Sequence, residues 1–266
     1  MKPSLVCHSF SLSRPAVLAA ILAGISVLGP GACTDVSGSS SSVLSIQFDT
    51  LPAPSVVVGD TLRDTTGAVI RPVVHAFNFK GAEILPTPVF FLSPDSGVTV
   101  DSATGIVVGD SLRSTPARIV ATVGHLQAIQ RVNLTLSPDT IIAKNAFDSL
   151  LYSITDSTVD VSPALTVMLA HGVARDSAVP FYIVSFAIVS QPDPQLGELV
   201  NDAGAASRID TTDATGIAGR KIRLHPPHLS GVTQVDSIVV NATARFHGAV
   251  VSGSPVRLVL LFKPHS

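Results

Sequence analysis

Short runs of β-branched and other apolar residues recur along most of this 266-residue chain, each bounded by glycine, proline, aspartate or serine. The clearest runs are 69–79, 89–92, 118–123, 130–136, 164–170, 180–189, 237–246 and 256–262. In the run that ends at Leu136, apolar Val132, Leu134 and Leu136 alternate with polar residues, which is the period of a strand with one buried face. Regularly spaced short strands separated by turn residues predict β-sandwiches.

The charged residues favour the same fold class. Glu83 and Glu198 are the only glutamates, and the chain has only five lysines. Glutamate and lysine are common on helix surfaces, whereas aspartate, the main acidic residue here, favours turns. Valine, isoleucine and threonine, which strands favour, are abundant. The composition therefore predicts an all-β protein.

The first 32 residues are typical of a secretory signal peptide. Lys2 and Arg14 precede an apolar run at 15–28, and glycine, proline and alanine follow it. As a helix this run would rise about 21 Å, which is too short to cross a hydrocarbon core of roughly 30 Å. We therefore predict that residues 1–32 direct export and are then removed.

The predicted cleavage site ends in Gly31, Ala32 and Cys33. These residues resemble the end of a bacterial lipobox, in which the cysteine receives a diacylglycerol and becomes the first residue. The resemblance implies that Cys33 anchors the protein to a membrane. Pro30 stands where the pattern has an aliphatic residue, so ordinary cleavage nearby, which would leave a free thiol, is the alternative. Cys7, the other cysteine, would leave with the signal, so no disulfide is expected in the mature chain.

The remaining chain divides into a tether and two predicted domains. Residues 33–43 are small and polar, as in a flexible tether. The length that follows suits two domains of roughly 100 residues, which we place at 44–137 and 160–266 with a junction at 138–159. Within the junction, four apolar residues follow helical spacing: Phe147, Leu150, Leu151 and Ile154. Whether this segment is a short helix or a turn is left open.

Charge argues against one class of partner. Without Lys2 and Arg14, 15 basic and 19 acidic residues remain, a net charge of −4. Lysine and arginine form no cluster in this part of the sequence. We therefore expect no nucleic acid as a partner.

Several short pieces occur in order in the first predicted domain: VGDTL at 58–62, KGA at 80–82, FLSPD at 91–95, VTVD at 98–101, GIVVG at 105–109 and IVATVG at 119–124. Together they resemble a bacterial Ig-like domain of the group 2 type. The piece GDTLR at 59–63 recurs as GDSLR at 109–113. Both copies fall in one predicted domain, so we interpret them as two similar turn-to-strand segments.

The second predicted domain contains TDATGIA at 212–218, preceded by GEL at 197–199 and followed by NATA at 241–244. These pieces resemble the group 1 type of bacterial Ig-like domain, found in invasin-like surface proteins. Asp213 and Gly216 also fit the first and fourth positions of a type I turn. The two resemblances imply an all-β chain with two tandem Ig-like β-sandwich domains after a signal peptide and a Ser-rich tether.

Motifs of enzymes are missing from the sequence. It has no GxSxG, HExxH, GxxxxGK[ST] or GxGxxG segment. Four histidines are scattered along the sequence and are expected on strand surfaces: His75, His125, His171 and His247. With no tryptophan and two tyrosines, an aromatic sugar-binding platform has little support. We therefore predict no catalytic and no cofactor-binding residue.

Two segments are candidates for metal sites. His225 and His228 flank two prolines that would hold the backbone extended, so their imidazoles would need ligands from elsewhere, and we interpret the segment as a solvent loop. Asp210, Asp213 and Gly216 faintly resemble a calcium loop, but the spacing does not fit. We predict no metal ligand, while a calcium site between the domains stays open because Ig-like domains can hold calcium at their junctions.

These observations predict an exported Ig-like protein at the cell envelope, held at the outer membrane or cell surface by a lipid on Cys33. Its expected role is binding, adhesion or structural presentation toward an unknown protein or cell-surface partner. The main alternative is a non-catalytic scaffold subunit of an envelope or secretion assembly. A hydrolytic enzyme is the third hypothesis.

Overall fold

A computed structural model describes residues 42–84, 88–153, 160–229 and 235–264. The predicted signal peptide, Cys33 and most of the tether lie outside these residues. Within them, strands account for almost all regular structure, and the one helical element is a 3₁₀ turn at Pro226–Leu229. The predicted all-β fold is confirmed. In the described ranges, no helix has the length and apolar character needed to span a membrane.

The first sandwich is built from the strands of residues 45–135. They are β1 (Ser45–Phe48), β2 (Ser55–Val57), β3 (Val74–Phe77), β4 (Phe90–Leu92), β5 (Val98–Val100), β6 (Val107–Gly109), β7 (Ala117–Val123) and β8 (Leu126–Thr135). One sheet has the order β2-β8-β7-β4, with β2 parallel to β8 and the other neighbours antiparallel. The pairs β1–β3 and β5–β6 complete the sandwich.

The second sandwich contains the remaining strands. They are β9 (Thr140–Asn145), β10 (Phe147–Tyr152), β11 (Leu165–His171), β12 (Ser177–Ala178), β13 (Ile183–Ser190), β14 (Gly197–Val200), β15 (Ile209–Thr211), β16 (Ile217–Leu224), β17 (Asp236–Thr243), β18 (Arg245–Phe246), β19 (Ala249–Val250) and β20 (Val256–Pro264). One sheet has the order β10-β20-β17-β13-β15, and the other has the order β12-β11-β16-β14 with β9 beside β11. A hairpin of β18 and β19 stands apart from both.

The two sandwiches share one strand order. In each, the opening segment first pairs antiparallel, β1 with β3 and β9 with β11, and then pairs parallel with the last strand, β2 with β8 and β10 with β20. The resulting sheets, β2-β8-β7-β4 and β10-β20-β17-β13, correspond strand for strand. An immunoglobulin-type sandwich places its C, F and G strands in one sheet in this way. Both sandwiches are therefore Ig-like.

Alternating burial along the strands forms two separate hydrophobic cores. In β16 every second residue is buried, which places Ile222 and Leu224 inside. The first core includes Leu62, Ile119 and Val132, and its buried members fall between residues 53 and 134. The buried members of the second fall between residues 141 and 262. Each large side chain that is fully buried contributes about 1.5–3 kcal/mol, so each sandwich has its own source of stability.

The segment 138–159, predicted as a junction, contains β9 and β10. Both strands pair with strands of the second sandwich. Leu150 and Tyr152 are buried, whereas Phe147 is 60% and Leu151 45% exposed, so the side chains alternate in the manner of a strand. The helical spacing of these apolar residues therefore does not reflect a helix, and Ile154 lies outside the described residues.

Candidate functional site

The two sandwiches meet at a joint formed by loops from both. The turn at 64–67 of the first sandwich touches the turn between β18 and β19, which contains Gly248. Gly67 and Gly248 have positive φ angles of 91° and 78°. A Cβ atom on Gly248 would lie 2.7 Å from the carbonyl oxygen of Thr66, and one on Gly67 would collide with the backbone at Gly248. Glycine is needed at both positions because two backbones approach each other here.

Asp60 is the charged centre of the joint. Its Oδ2 lies 3.0 Å from Arg63 Nε in its own sandwich and 2.5 Å from His247 Nε2 in the other. The backbone N–H of Thr61 also donates to Oδ1, at 2.7 Å. Burial by itself would raise the pKa of Asp60, but the bonds from Arg63 and His247 outweigh it and hold this pKa below its usual 3.8. The carboxylate is therefore charged at neutral pH and links the two sandwiches.

Two buried hydroxyl groups form a second set of contacts across the joint. Ser55 Oγ donates to the carbonyl of Phe181, and Thr135 Oγ1 donates to the carbonyl of Pro180, both at 2.6 Å. Ser55 and Thr135 lie on β2 and β8, the parallel pair at the edge of the first sheet. Each such bond contributes about 0.5–1.5 kcal/mol net, and it satisfies groups that would be costly to bury alone.

A cavity of about 260 Å³ lies within the joint. Its lining combines side chains of both sandwiches, among them Val57, Asp60, Arg63, Tyr182, Phe246 and His247. The Tyr182 hydroxyl donates to the carbonyl of Arg245 at 2.7 Å. Burial and the nearby charge of Asp60 raise the pKa of Tyr182 to about 12, so this hydroxyl stays protonated.

The chemistry of this cavity favours a structural role. Ligand pockets usually hold about 300 Å³ or more and carry polar groups that await a ligand. Here the volume is smaller, and Asp60 and Tyr182 already bond to residues of the joint. Phe246 also stacks on the His247 ring, with centroids 4.1 Å apart. The arrangement holds two sandwiches in register.

The histidine-proline segment differs from its prediction. The backbone forms a 3₁₀ turn at Pro226–Leu229, so the expected extended conformation was wrong; two consecutive prolines fit a tight turn because their φ angle of about −65° suits it. His228 Nδ1 lies 3.2 Å from Asp193 Oδ2, and His225 Nε2 lies 4.0 Å from Glu198 Oε2. The imidazoles thus face separate carboxylates and do not converge on one point.

The carboxylates considered for calcium are engaged inside the second sandwich. Asp210 Oδ1 lies 2.8 Å from Arg220 Nη1, and its Oδ2 accepts the N–H of Gly219 at 2.7 Å. Asp213 caps its own turn, accepting bonds from the N–H and the hydroxyl of Thr215. Over the described ranges, no three His, Cys, Asp or Glu side chains lie close enough together to hold a metal ion.

The scattered histidines have different surroundings. His75 lies between two carboxylates, with Nδ1 2.7 Å from Glu83 and Nε2 3.3 Å from Asp49, and these contacts raise its pKa. His171 Nδ1 lies 2.9 Å from Asp139 Oδ2. His125 is exposed in the turn between β7 and β8. His247, which the sequence placed on a strand surface, is in the joint.

Sequence reasoning missed the pair of Asp60 and His247. The two residues are 187 positions apart, and no local pattern joins them. The only hint was the repeated GDTLR piece that contains Asp60. Its second copy lies against the first, since the N–H of Gly59 donates to the carbonyl of Gly109 at 2.7 Å. The copies are not equivalent, because Leu62 is fully buried and Leu112 is 52% exposed.

Several solved structures resemble this chain at low identity and low TM-score. No family model and no curated protein matches the chain. Domains 5–6 of the S-layer protein SbsC are 13% identical, cover 85% of this chain and 99% of their own, and have a TM-score of 0.29. Invasin, a bacterial integrin-binding protein, is 14% identical over 84% of this chain and 40% of its own, with a TM-score of 0.30. The corresponding values for human protocadherin-24 EC1-2 are 14%, 84%, 100% and 0.25. TM-scores this low carry no argument, so the Ig-like fold rests on the strand order described above.

Proposed function

We propose that the protein is exported, is anchored to a membrane by a lipid on Cys33, and presents a non-catalytic binding surface at the cell envelope. The observation that carries the choice of this surface is the position of the joint relative to the tether. The joint lies at one end of the first sandwich, and the tether meets this sandwich near the other end. An anchor on the tether would therefore hold the second sandwich away from the membrane.

The register of β1 supports this orientation. Ser45, at its start, pairs with Phe77, whereas Phe48, at its end, pairs with Val74. From the joint at Gly67 the chain runs through Val74 to Phe77, so Ser45 lies on the side away from the joint. The predicted tether at 33–43 is rich in serine.

The outer end of the second sandwich is then the surface that faces a partner. Strand β13 leaves the joint at Ile183 and ends at Ser190. The segment that follows it meets the 3₁₀ turn at Pro226–Leu229. The N–H of His225 donates to the carbonyl of Leu196 at 2.8 Å, which joins the two loops. Loops at the end of an Ig-like sandwich are common contact surfaces.

The anchor is tested by comparing Cys33→Ser with Cys7→Ser as a matched control. Mass spectrometry of the mature wild-type protein should find a diacylated Cys33 at the N-terminus. Cys33→Ser should move the protein from the membrane fraction to the soluble fraction, and Cys7→Ser should not. An unmodified mature N-terminus would contradict the anchor. Protease added to intact cells should then digest a protein displayed on the surface and leave a periplasm-facing protein intact.

Exposed apolar side chains favour a second candidate, a scaffold subunit of an envelope assembly. Phe90 and Leu92 of β4 and Ile129 of β8 are 63%, 48% and 58% exposed. They lie on one face, because Leu92 pairs with Val120 and Val120 pairs with Ile129. Contiguous apolar patches on soluble proteins often mark interaction sites. A stoichiometric envelope protein that co-purifies with the wild type but not with Phe90→Ser would favour the scaffold role.

A further inference from the structure

One edge of β13 has no partner strand over half its length in the described part of the chain. On one side, β13 pairs with β17 from Ser185 to Ser190. On the other side, its pairing with β15 ends at Ser185, and one more bond runs from the N–H of Phe186 to the carbonyl of Arg208. Because backbone groups alternate sides along an antiparallel strand, the N–H and C=O of Ile188 face this same open side, directly before the register of β13 and β17 shifts between Ile188 and Ser190.

A groove of about 920 Å³ lies along this open edge. It forms because β14 pairs with β16 in the opposite sheet, so the chain on the far side of the groove diverges from β13. Its walls are residues 187–191 on one side and residues 197–199 and 206–208 on the other. Neighbouring strands lie about 4.8 Å apart, and a strand rises about 3.3 Å per residue. A groove of this volume has room for one extended segment beside β13.

The lining defines the chemistry of an occupant. Ile188 packs against the second core while still lining the groove, and Leu199 lines it as well, so part of the lining is apolar. Two charged residues also line the groove, Arg208 and Glu198. Arg208 is exposed and forms no ion pair among the described residues, whereas Glu198 Oε2 lies 4.0 Å from His225 Nε2. An extended segment would thus place an apolar side chain over Ile188 and an acidic side chain near Arg208.

We propose that this groove binds an extended, apolar segment of a partner polypeptide that carries an acidic residue, by adding it as a strand beside Ile188 of β13. Backbone hydrogen bonds to an open strand edge give affinity, and alternate side chains give specificity, in this mode of recognition. The inference deepens the proposed binding role by naming the class of partner. It does not depend on the lipid anchor, because its test is carried out in solution.

The probe is an eight-residue peptide that alternates valine and threonine and has one central aspartate. Two control peptides carry a central lysine or N-methylated central amides. We expect the aspartate peptide to bind the full chain about fivefold more tightly than the lysine peptide, and N-methylation to weaken binding about tenfold. Hydrogen exchange at the Ile188 amide should slow at least about tenfold when the aspartate peptide binds. Unchanged exchange at Ile188 at millimolar peptide overturns the proposal.

Variants of the protein locate the site. Arg208→Glu should reverse the preference to the lysine peptide, while Arg257→Glu, an exposed arginine on β20 of the same sandwich, should keep the wild-type order. Ile188→Pro removes the amide that faces the groove together with a side chain that packs on the second core, and thermal unfolding checks that this variant still folds. Equal binding by wild type and Arg208→Glu would refute the site. Slower Ile188 exchange at higher protein concentration, without peptide, would assign the groove to a second copy and also refute it. A failure of the Cys33 test leaves these results unaffected, so the two proposals fail separately.

Discussion

Side chains of aspartate and asparagine cap several turns in one recurring way. In each turn the N–H of a glycine donates to the carbonyl of the Asx residue three positions earlier, and the Asx side chain accepts further backbone N–H groups. The turns begin at Asp64, Asn78, Asn201 and Asp213. The short Asx side chain reaches its own backbone two residues on, which the longer glutamate side chain does less well. These turns therefore favour aspartate or asparagine over glutamate at their first position.

Asp213 provides a direct test of these caps. Its Oδ1 accepts the N–H groups of Thr215 and Ile217 at 2.8 and 3.0 Å. Asp213→Ala should lower the free energy of unfolding by about 1 kcal/mol, because these bonds are lost. Asp213→Asn retains the acceptor oxygen and should lose less than half as much, as Asn78 and Asn201 fill the same role. Urea unfolding measures both, and equal losses would contradict the capping role.

Asp95 gives a pH-dependent prediction. Bonds from Arg118 lower its pKa to about 2 from the usual 3.8. Because the folded-state pKa is the lower one, its stabilising contribution is fully present above pH 3.8 and is lost as pH falls through about 2. Arg118→Gln should return the pKa of Asp95 toward 3.8 in a carboxyl NMR titration. The same variant should lose less stability than the wild type as pH falls from 3.8 to about 2. Arg131→Gln is the matched control, since Arg131 pairs with Arg118 across the sheet. An unchanged pKa of Asp95 in Arg118→Gln would contradict this account.

At the scale of strands, the sequence predicts strands in both sandwiches but leaves the conformation of β10 open. The predicted runs at 118–123, 164–170 and 256–262 match β7, β11 and β20 within a few residues. In each run, the β-branched residues and the flanking turn residues both indicate a strand. In β10 the apolar residues Phe147, Leu150 and Leu151 include one adjacent pair, which imitates a helical face. The parallel pairing with β20, more than 100 residues away in sequence, decides the conformation, and no local pattern contains it.

The strand assignment for β10 predicts unequal effects of two neighbouring substitutions. Leu150→Ala should lower the free energy of unfolding by about 2–4 kcal/mol, because Leu150 is 8% exposed in the second core. Leu151→Ala should lower it by less than about 1 kcal/mol, because Leu151 points outward and is 45% exposed. A helix that buried its apolar face would give both residues similar costs. Denaturant unfolding of the two variants distinguishes the conformations, and equal losses would contradict the strand.

At the scale of the molecule, the sequence predicts two sandwiches but not how they are joined. Fold class follows from composition and alternation, which are local properties. The joint depends on Asp60 meeting His247 and on Ser55 and Thr135 meeting the backbone at Pro180 and Phe181. These contacts are set by the path of whole strands. The groove beside β13 was missed for the same reason, since it exists only because β14 pairs in the opposite sheet.

The joint should fix the angle between the sandwiches, and His247→Asn tests this. Asparagine tolerates the positive φ of 51° at this position, but its side chain is too short to reach Asp60 in the same way. The charged, half-exposed hydrogen bond between Asp60 and His247 contributes about 1 kcal/mol. Without it, the state in which the two sandwiches are separated at the joint should become about fivefold more populated. Pulsed EPR between spin labels on Ser96→Cys and Ser149→Cys, in a protein without native cysteines, should then give a broader distance distribution. The matched control is His125→Asn, in the exposed β7–β8 turn, which should leave the distribution unchanged. If His247→Asn keeps the wild-type width while both sandwiches remain folded, Asp60 and His247 do not hold the joint, and the buried hydroxyl contacts of Ser55 and Thr135 become the structural basis of the fixed angle.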